Sequence, residues 1–247
     1  MKSTERHKLK ENELARSVEA ARDMVSTRGN DILRVAVIAL VAIALVGGFT
    51  WWRQAQHAKA SAALAQGLAV FEAPVIVPTA PAPGSPVPVQ QPGTFQTEQA
   101  KLEAALPKLM AAADQYPEQQ SGIAARYYAA SALASLGRFA EAEQRYQEVV
   151  DKAGSSLIYS RTARLGLADA QAAQGKFDNA IEIYRTLSTD TKSTLPVDGV
   201  LMSLGRTYAR AGRHEEAVRA FSRIVEEFPQ SPYAADARRE REETRKS

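Results

Sequence analysis

The chain has 247 residues, 45% hydrophobic and 24% charged, which is the composition of a chain that folds around a core. Its 31 basic residues nearly balance 28 acidic ones, so the net charge of +3 gives no sign of nucleic-acid binding. The absence of cysteine excludes disulfides, thiolate catalysis and cysteine-ligated metals. Frequent alanine and few β-branched runs predict an all-α protein.

Residues 1–30 are predicted to contain one short amphipathic helix. Within these charged surroundings, four apolar residues recur at helical spacing: Leu14, Val18, Ala21 and Val25. Such a helix lies on a membrane surface, contacts a partner, or only fixes the topology of the chain. The sequence leaves these three roles open.

An uncharged apolar stretch follows, VAVIALVAIALVGGFTWW at residues 35–52. With Ile32 and Leu33 the stretch reaches about 20 residues, enough for a helix to cross roughly 30 Å of hydrocarbon. The sequence therefore predicts a transmembrane helix over residues 31–53.

Both ends of this span carry boundary signals. Gly29 and Asn30 are predicted to end the preceding helix, and Asp31 to cap the new one. Trp51 and Trp52 lie where interfacial aromatic residues are expected.

The distribution of basic residues predicts the orientation of the span. Only Arg53 and Lys59 end or follow it before Lys101, whereas eight basic residues precede or begin it: Lys2, Arg6, Lys8, Lys10, Arg16, Arg22, Arg28 and Arg34. The positive-inside rule then places the N-terminus in the cytoplasm and the C-terminal part across the membrane. A cleaved signal peptide is the alternative, because residues 58–60 and 63–65 have the small-x-small form. The long leading segment disfavours it.

Beyond the span, residues 54–72 are alanine-rich and are predicted to continue as a helix leaving the membrane. Residues 73–94 are rich in proline, which excludes helix and central strand. We expect this insertion to be a linker or surface loop, with a recognition role as the alternative.

The remainder, residues 95–247, repeats. Three stretches share a turn glycine, an alanine five residues later and an aromatic four further on: Gly137, Ala142 and Tyr146; Gly175, Ala180 and Tyr184; Gly212, Ala217 and Phe221. Successive glycines are 38 and 37 residues apart. The glycine permits a left-handed turn between antiparallel helices, the alanine permits close helix approach, and the aromatic fills the space beside it.

The last repeat matches the tetratricopeptide consensus at seven positions: Leu204, Gly205, Tyr208, Gly212, Ala217, Phe221 and Pro229. First helices are predicted over residues 123–136, 161–174 and 198–211. A fourth unit would pair residues 54–72 with the helix that carries Ala105 and Leu109. The chain is thus predicted to be all-α, one N-terminal transmembrane helix followed by a tetratricopeptide-repeat solenoid that a C-terminal helix caps.

No catalytic constellation is visible in the sequence. The three histidines, His7, His57 and His214, lack metal-ligand spacing, and there is no phosphate-binding glycine loop. We therefore expect no enzyme activity, cofactor, metal or small-molecule substrate. Protein binding is then the remaining function. A solenoid binds partners on its inner face, which the first helices of its repeats line. The register predicts a peptide-binding inner face that includes Tyr127, Ser131, Leu165, Asp169, Met202, Arg206 and Arg210.

Two of these residues, Arg206 and Arg210, are four apart and share one helical face. They are predicted either to hold a carboxylate or acidic peptide, or to pair with neighbouring glutamates or water.

The arrangement resembles the ancillary SecYEG translocon subunits of the bacterial inner membrane. The matching features are the span at 35–52, the alanine-rich helix after it, and DQYPEQQSGIAARYYAASALASLGRFAEAE. The resemblance implies an inner-membrane anchor, a periplasmic repeat domain, and translocon subunits, periplasmic chaperones or unfolded clients as partners. The proline-rich insertion, the long basic N-terminus and the clean consensus of the last repeat depart from that family.

Two other functions fit the sequence. EFPQSPYAADA at 227–237 is similar to repeat ends in periplasmic proteins of outer-membrane assembly and envelope constriction. An adaptor in envelope assembly or cell division is therefore the runner-up. A regulatory anchor that acts through its cytoplasmic helix is the third possibility.

Overall fold

The computed structural model describes residues 3–77, 91–152, 157–190 and 195–247, without the side chains of 3–30, 32, 157 and 158. These residues form nine helices: α1 (Ser3–Phe71), α2 (Glu98–Gln115), α3 (Gln120–Ser135), α4 (Phe139–Lys152), α5 (Leu157–Ala173), α6 (Phe177–Thr189), α7 (Val197–Arg210), α8 (His214–Glu227) and α9 (Ala234–Lys246). Two compact units are present, residues 1–56 and 57–247. The predicted all-α helical repeat fold is confirmed.

Helix α1 runs without a break from Ser3 to Phe71. The predicted helix end at Gly29 and Asn30 is therefore wrong, and Asp31 is not an N-cap. Asp31 lies inside the helix, where its carboxylate accepts a hydrogen bond from Arg34 Nη1 at 3.3 Å. A single glycine costs a helix only about 1 kcal/mol relative to alanine, and no proline interrupts this segment.

The apolar part of α1 is long and apolar enough to span a membrane. Of fifteen large hydrophobic side chains that are exposed among the described residues, twelve lie between Leu33 and Trp52. Exposed apolar surface of this extent is costly in water, and a helix of this length and composition is a candidate membrane span.

Within residues 57–247, the three predicted hairpins are present as α3 with α4, α5 with α6, and α7 with α8. A fourth pairing joins the last turns of α1 to α2. Gly67 lies so close to α2 that a Cβ there would be 2.6 Å from Leu109 Cδ2. The same part of α1 also reaches α3, where the Oγ atoms of Ser61 and Ser121 lie 3.1 Å apart.

The predicted turn glycines occupy the left-handed region, with φ of +75° at Gly137, +80° at Gly175 and +72° at Gly212. In the first turn, Gly137 N donates to Ala134 O and Arg138 N donates to Leu133 O at 2.9 Å. The same pattern recurs at the other two turns. These bonds satisfy helix-terminal carbonyls that would otherwise lack partners, so each helix ends at its glycine.

The repeat alanines and aromatics form the core as predicted. Ala142, Ala180 and Ala217 are fully buried. Phe221 is also fully buried and packs on Gly205, where an added Cβ would lie 2.5 Å from its Cε1. Tyr146 packs in the same way against Gly166 of the next repeat. Phe221 and Tyr146 therefore each require a residue without a side chain opposite the ring.

A polar contact joins successive repeats at Glu143 of α4. Its carboxylate accepts hydrogen bonds from Gln171 at 3.1 Å, Gln174 at 2.7 Å and Lys176 at 2.6 Å. Partial burial opposes ionisation, but these donors outweigh it and lower the pKa of Glu143. The carboxylate therefore stays ionised in the folded protein and links α4 to the following repeat.

Helix α9 packs against the last hairpin, principally against α8. Its Ala234 and Ala237 are buried. The Ser231 hydroxyl, just before α9, donates to Asp198 of α7 at 2.6 Å. The remaining surface of α9 is largely charged, as a solenoid end requires.

The proline-rich insertion is described only at its two ends, since residues 78–90 lie outside the described residues. Val75 and Phe95 form an isolated parallel bridge, in which Ile76 N donates to Phe95 O at 2.8 Å. Phe95 N donates in turn to Pro74 O at 3.1 Å. This bridge brings the two ends of the insertion together.

Candidate peptide-binding inner face

The first helices of successive repeats contact each other directly, α3 with α5 and α5 with α7. No comparable contact joins α4 with α6 or α6 with α8 in the described part of the chain. The first helices are therefore closer together, which places α3, α5 and α7 on the concave side of the solenoid. We call their exposed surface the inner face.

Five aromatic side chains form a continuous group that begins on this face, here called the aromatic cluster: Phe71, Tyr127, Tyr128, Tyr146 and Tyr159. Tyr127 is at its centre, with ring centroids 5.5 Å from Tyr128, 6.0 Å from Tyr146 and 5.8 Å from Tyr159. Phe71 extends the group through an edge contact with Tyr128 at 5.5 Å. Tilted and edge-on packing of this kind is favourable beyond the area buried.

Four of these rings are half-buried, and only Tyr146 is fully buried. Burial raises the pKa of Tyr127, Tyr146 and Tyr159 above its ordinary value. Their hydroxyls are therefore neutral at physiological pH. The cluster presents an amphipathic surface, with apolar ring faces and hydrogen-bonding edges, next to solvent.

Ser131 lies beside this cluster, next to Tyr146, and Leu165 occupies the register position of Tyr127 in the following repeat. Both are half-buried. The nearby Ser131 side chain lowers the pKa of Tyr146 slightly against the dominant effect of burial. Leu165 packs against the core formed by α5 to α8. Each residue thus contributes an exposed edge to the inner face.

Asp169 lies in the middle of the inner face on α5. The residue is exposed, yet neighbouring atoms enclose its carboxylate enough for burial to raise the pKa. Its Oδ1 accepts a hydrogen bond of 2.5 Å from the Tyr184 hydroxyl, which partly offsets that effect. Among the described residues Asp169 takes part in no salt bridge.

Met202 does not lie on the surface, and this part of the predicted site is wrong. Only 2% of the residue is exposed, within the core formed by α5 to α8. It occupies the register position of Tyr127 and Leu165. The close contact between α5 and α7 buries it, and an unbranched apolar side chain gains free energy from that burial.

Arg206 and Arg210 are both exposed, but each has an intramolecular contact. Arg206 binds Glu240 of α9 through both Nε, at 3.0 Å, and Nη2, at 2.6 Å. The alternative in which Arg206 pairs with a glutamate is therefore the one observed. Arg210 places its guanidinium 5.1 Å from the Phe177 ring centroid, a cation–π contact.

Sequence reasoning predicted Tyr146 as a core aromatic but missed Phe71, Tyr128 and Tyr159 as members of the aromatic cluster around Tyr127. Tyr128 follows Tyr127 directly, so its presence beside the site was readable from the sequence. The positions of Phe71 and Tyr159 depend on how helices of different repeats meet. No pattern within one repeat predicts that.

The outer side differs in character. An open groove of about 550 Å³ is lined by α6 residues, including Glu182 and Arg185, and by Arg213.

No group of three histidine, aspartate or glutamate side chains in the described ranges is arranged to hold a metal ion. His214, which shares its repeat position with Phe139 and Phe177, is exposed where they are half-buried.

Comparison with known proteins agrees with this architecture. No curated protein sequence matches the chain. The structure of the chain is similar to that of TPR-like repeats from a Podosopora anserina protein described as a kinesin light chain. The TM-score is 0.53 and the identity 19%, and the match covers 60% of this chain and 78% of that one. A second structure of those repeats has TM-score 0.52 and 19% identity, and the match covers 60% of this chain and 79% of that one. These likenesses concern the fold alone. The model of the tetratricopeptide repeat-like domain family matches residues 24–231, and the chain belongs to that family.

Proposed function

We propose that this chain is a membrane-tethered scaffold that holds segments of partner proteins on its inner face. We further propose that it is an accessory subunit of the bacterial protein-export translocon. In that role it recruits periplasmic chaperones or shields exported clients. Tetratricopeptide-like solenoids act as protein-interaction scaffolds, and stacked repeats provide an extended concave surface for that purpose.

The aromatic cluster carries the docking part of this proposal. It lies on the concave side and is partly exposed. Its tyrosine rings offer both apolar faces and polar edges, so they can contact different side chains of a partner. Aromatic residues dominate the energetics of protein interfaces for these reasons. An extended client segment would bury its apolar side chains against these rings.

Topology supports the export role. Helix α1 can span a membrane, and the basic residues before its apolar part favour a cytoplasmic N-terminus. The proposed arrangement is an anchor over residues 31–53 in the inner membrane, a cytoplasmic segment over 1–30, and a periplasmic solenoid over 95–247. The resemblance to ancillary SecYEG subunits motivates the choice of the translocon.

A second candidate is an adaptor in outer-membrane assembly or cell division. The repeat end at 227–237, similar to those of periplasmic assembly proteins, favours it. Both candidates share topology and docking face, and they differ only in partner.

In-cell crosslinking of the tagged full-length chain separates the two candidates. After mild detergent extraction, mass spectrometry of the adducts should find channel subunits and periplasmic folding factors. A variant without residues 95–247 serves as control and should lose these adducts. Adducts dominated by envelope or division proteins would contradict the translocon role and favour the adaptor.

A further inference from the structure

The centre of the inner face carries a negative charge that nothing else in the described chain neutralises. Asp169 Oδ1 is held by the Tyr184 hydroxyl at 2.5 Å, and no hydrogen bond to Oδ2 is formed within the described residues. We propose that Asp169 anchors a lysine or arginine side chain of the docked peptide. The partner class is then an extended segment in which a basic residue is flanked by apolar ones. This inference rests on the proposed docking function.

The orientation of the carboxylate is fixed before any ligand arrives. Tyr184 is only 1% exposed, within the core. Its hydroxyl therefore holds the Asp169 carboxylate from the core side. A preorganised acceptor loses little conformational entropy on binding. A charge-assisted hydrogen bond from an ammonium or guanidinium group to such a carboxylate is about twice as strong as a neutral one.

The neighbouring rings suit the same ligand. Asp169 is close enough to Tyr127 and Tyr146 that its charge contributes to raising the pKa of both. An aliphatic lysine stem would lie along the Tyr127 ring while its ammonium group reaches the carboxylate. Tyrosine faces attract cations as well, so both parts of the side chain gain contacts.

The charges around the inner face argue against an acidic ligand at this point. Asp169 would repel a carboxylate. Arg206, at the equivalent position of the next repeat, is already bound by Glu240 in a bidentate contact. The exposed Arg210 lies one helical turn farther along α7, over Phe177. The centre therefore favours a cation.

Fluorescence anisotropy with the full-length protein in nanodiscs tests this anchor. The probe is a labelled nine-residue peptide of leucine and serine with one central lysine. A matched probe carries norleucine instead. Wild type is expected to bind the lysine probe roughly tenfold more tightly than the norleucine probe. Asp169→Asn should abolish this preference, because asparagine keeps an acceptor for Tyr184 but lacks the charge.

Glu182→Gln is the matched control, since it removes one exposed carboxylate from the outer groove and should keep the tenfold preference. Should Asp169→Asn lower the helical content, Asp169→Ser provides the same readout. A lysine preference that survives in a folded Asp169 variant would overturn the anchor. Equal binding of both probes by wild type overturns the anchor and leaves docking intact. Binding of neither probe overturns both proposals.

Discussion

Replacing Phe221 with alanine is expected to destabilise the last repeat by about 4 kcal/mol. The ring is fully buried between α7 and α8 and lies directly against Gly205. Its removal leaves a cavity that Gly205 opposite cannot fill. Both the lost contacts and the cavity therefore lower the free energy of unfolding. In a repeat protein the effect stays near the altered unit, because each repeat contacts only its neighbours.

Hydrogen exchange of the full chain in detergent measures this local loss. Amides of α7 and α8 should exchange roughly a thousandfold faster than in wild type, while those of α3 and α4 keep most of their protection. Tyr233→Ala is the control, as Tyr233 is 39% exposed and should have little effect. Uniform acceleration across all helices would contradict the picture of separable repeats.

The second large effect is expected at a buried ion pair between α3 and α4. Arg126 is only 3% exposed, and its Nε lies 2.9 Å from Glu148 Oε2. Nη2 donates to Ala113 O at 3.1 Å, whereas neither Nε nor Nη1 makes a hydrogen bond among the described residues, so Glu148 contributes charge at short distance. Glu148→Ala should cost about 3 kcal/mol, because it leaves a buried cation without its counter-charge.

The contrasting variant is Arg126→Met, which removes the charge and keeps most of the volume. It should be within about 1 kcal/mol of wild type, since a buried ion pair is often replaceable by packed apolar atoms. Urea unfolding followed by circular dichroism compares the two. Glu141→Ala, at an exposed ion pair with Arg138 at the start of α4, should change nothing measurable. A larger loss for Arg126→Met than for Glu148→Ala would contradict this account.

The hairpins were predictable because their determinants are local. A glycine with positive φ, a small residue and an aromatic at fixed spacing are sufficient to specify turn and helix packing within one repeat. Gly137, Gly175 and Gly212 behave as expected for this reason. Helix α1 was less predictable near Gly29, because one glycine costs a helix only about 1 kcal/mol relative to alanine and does not by itself end it.

The inner face was only partly predictable, since its members depend on contacts between repeats. Register assigns Tyr127, Leu165 and Asp169 to this face, where Asp169 is exposed and the other two are half-buried. It failed for Met202, because the approach of α7 to α5 decides burial there. Likewise, the partner of Arg206 comes from α9, 34 residues farther along the chain. No spacing rule within a repeat indicates such a pairing.

Site-specific photo-crosslinking tests the central claim, that partner segments dock on the inner face. Benzoylphenylalanine is placed in cells at exposed Arg210 on α7, and in a matched variant at exposed Glu182 on the outer groove. The account predicts discrete protein adducts from position 210 and few from 182. Equal adducts at both positions, or adducts only from 182, would contradict docking on the inner face.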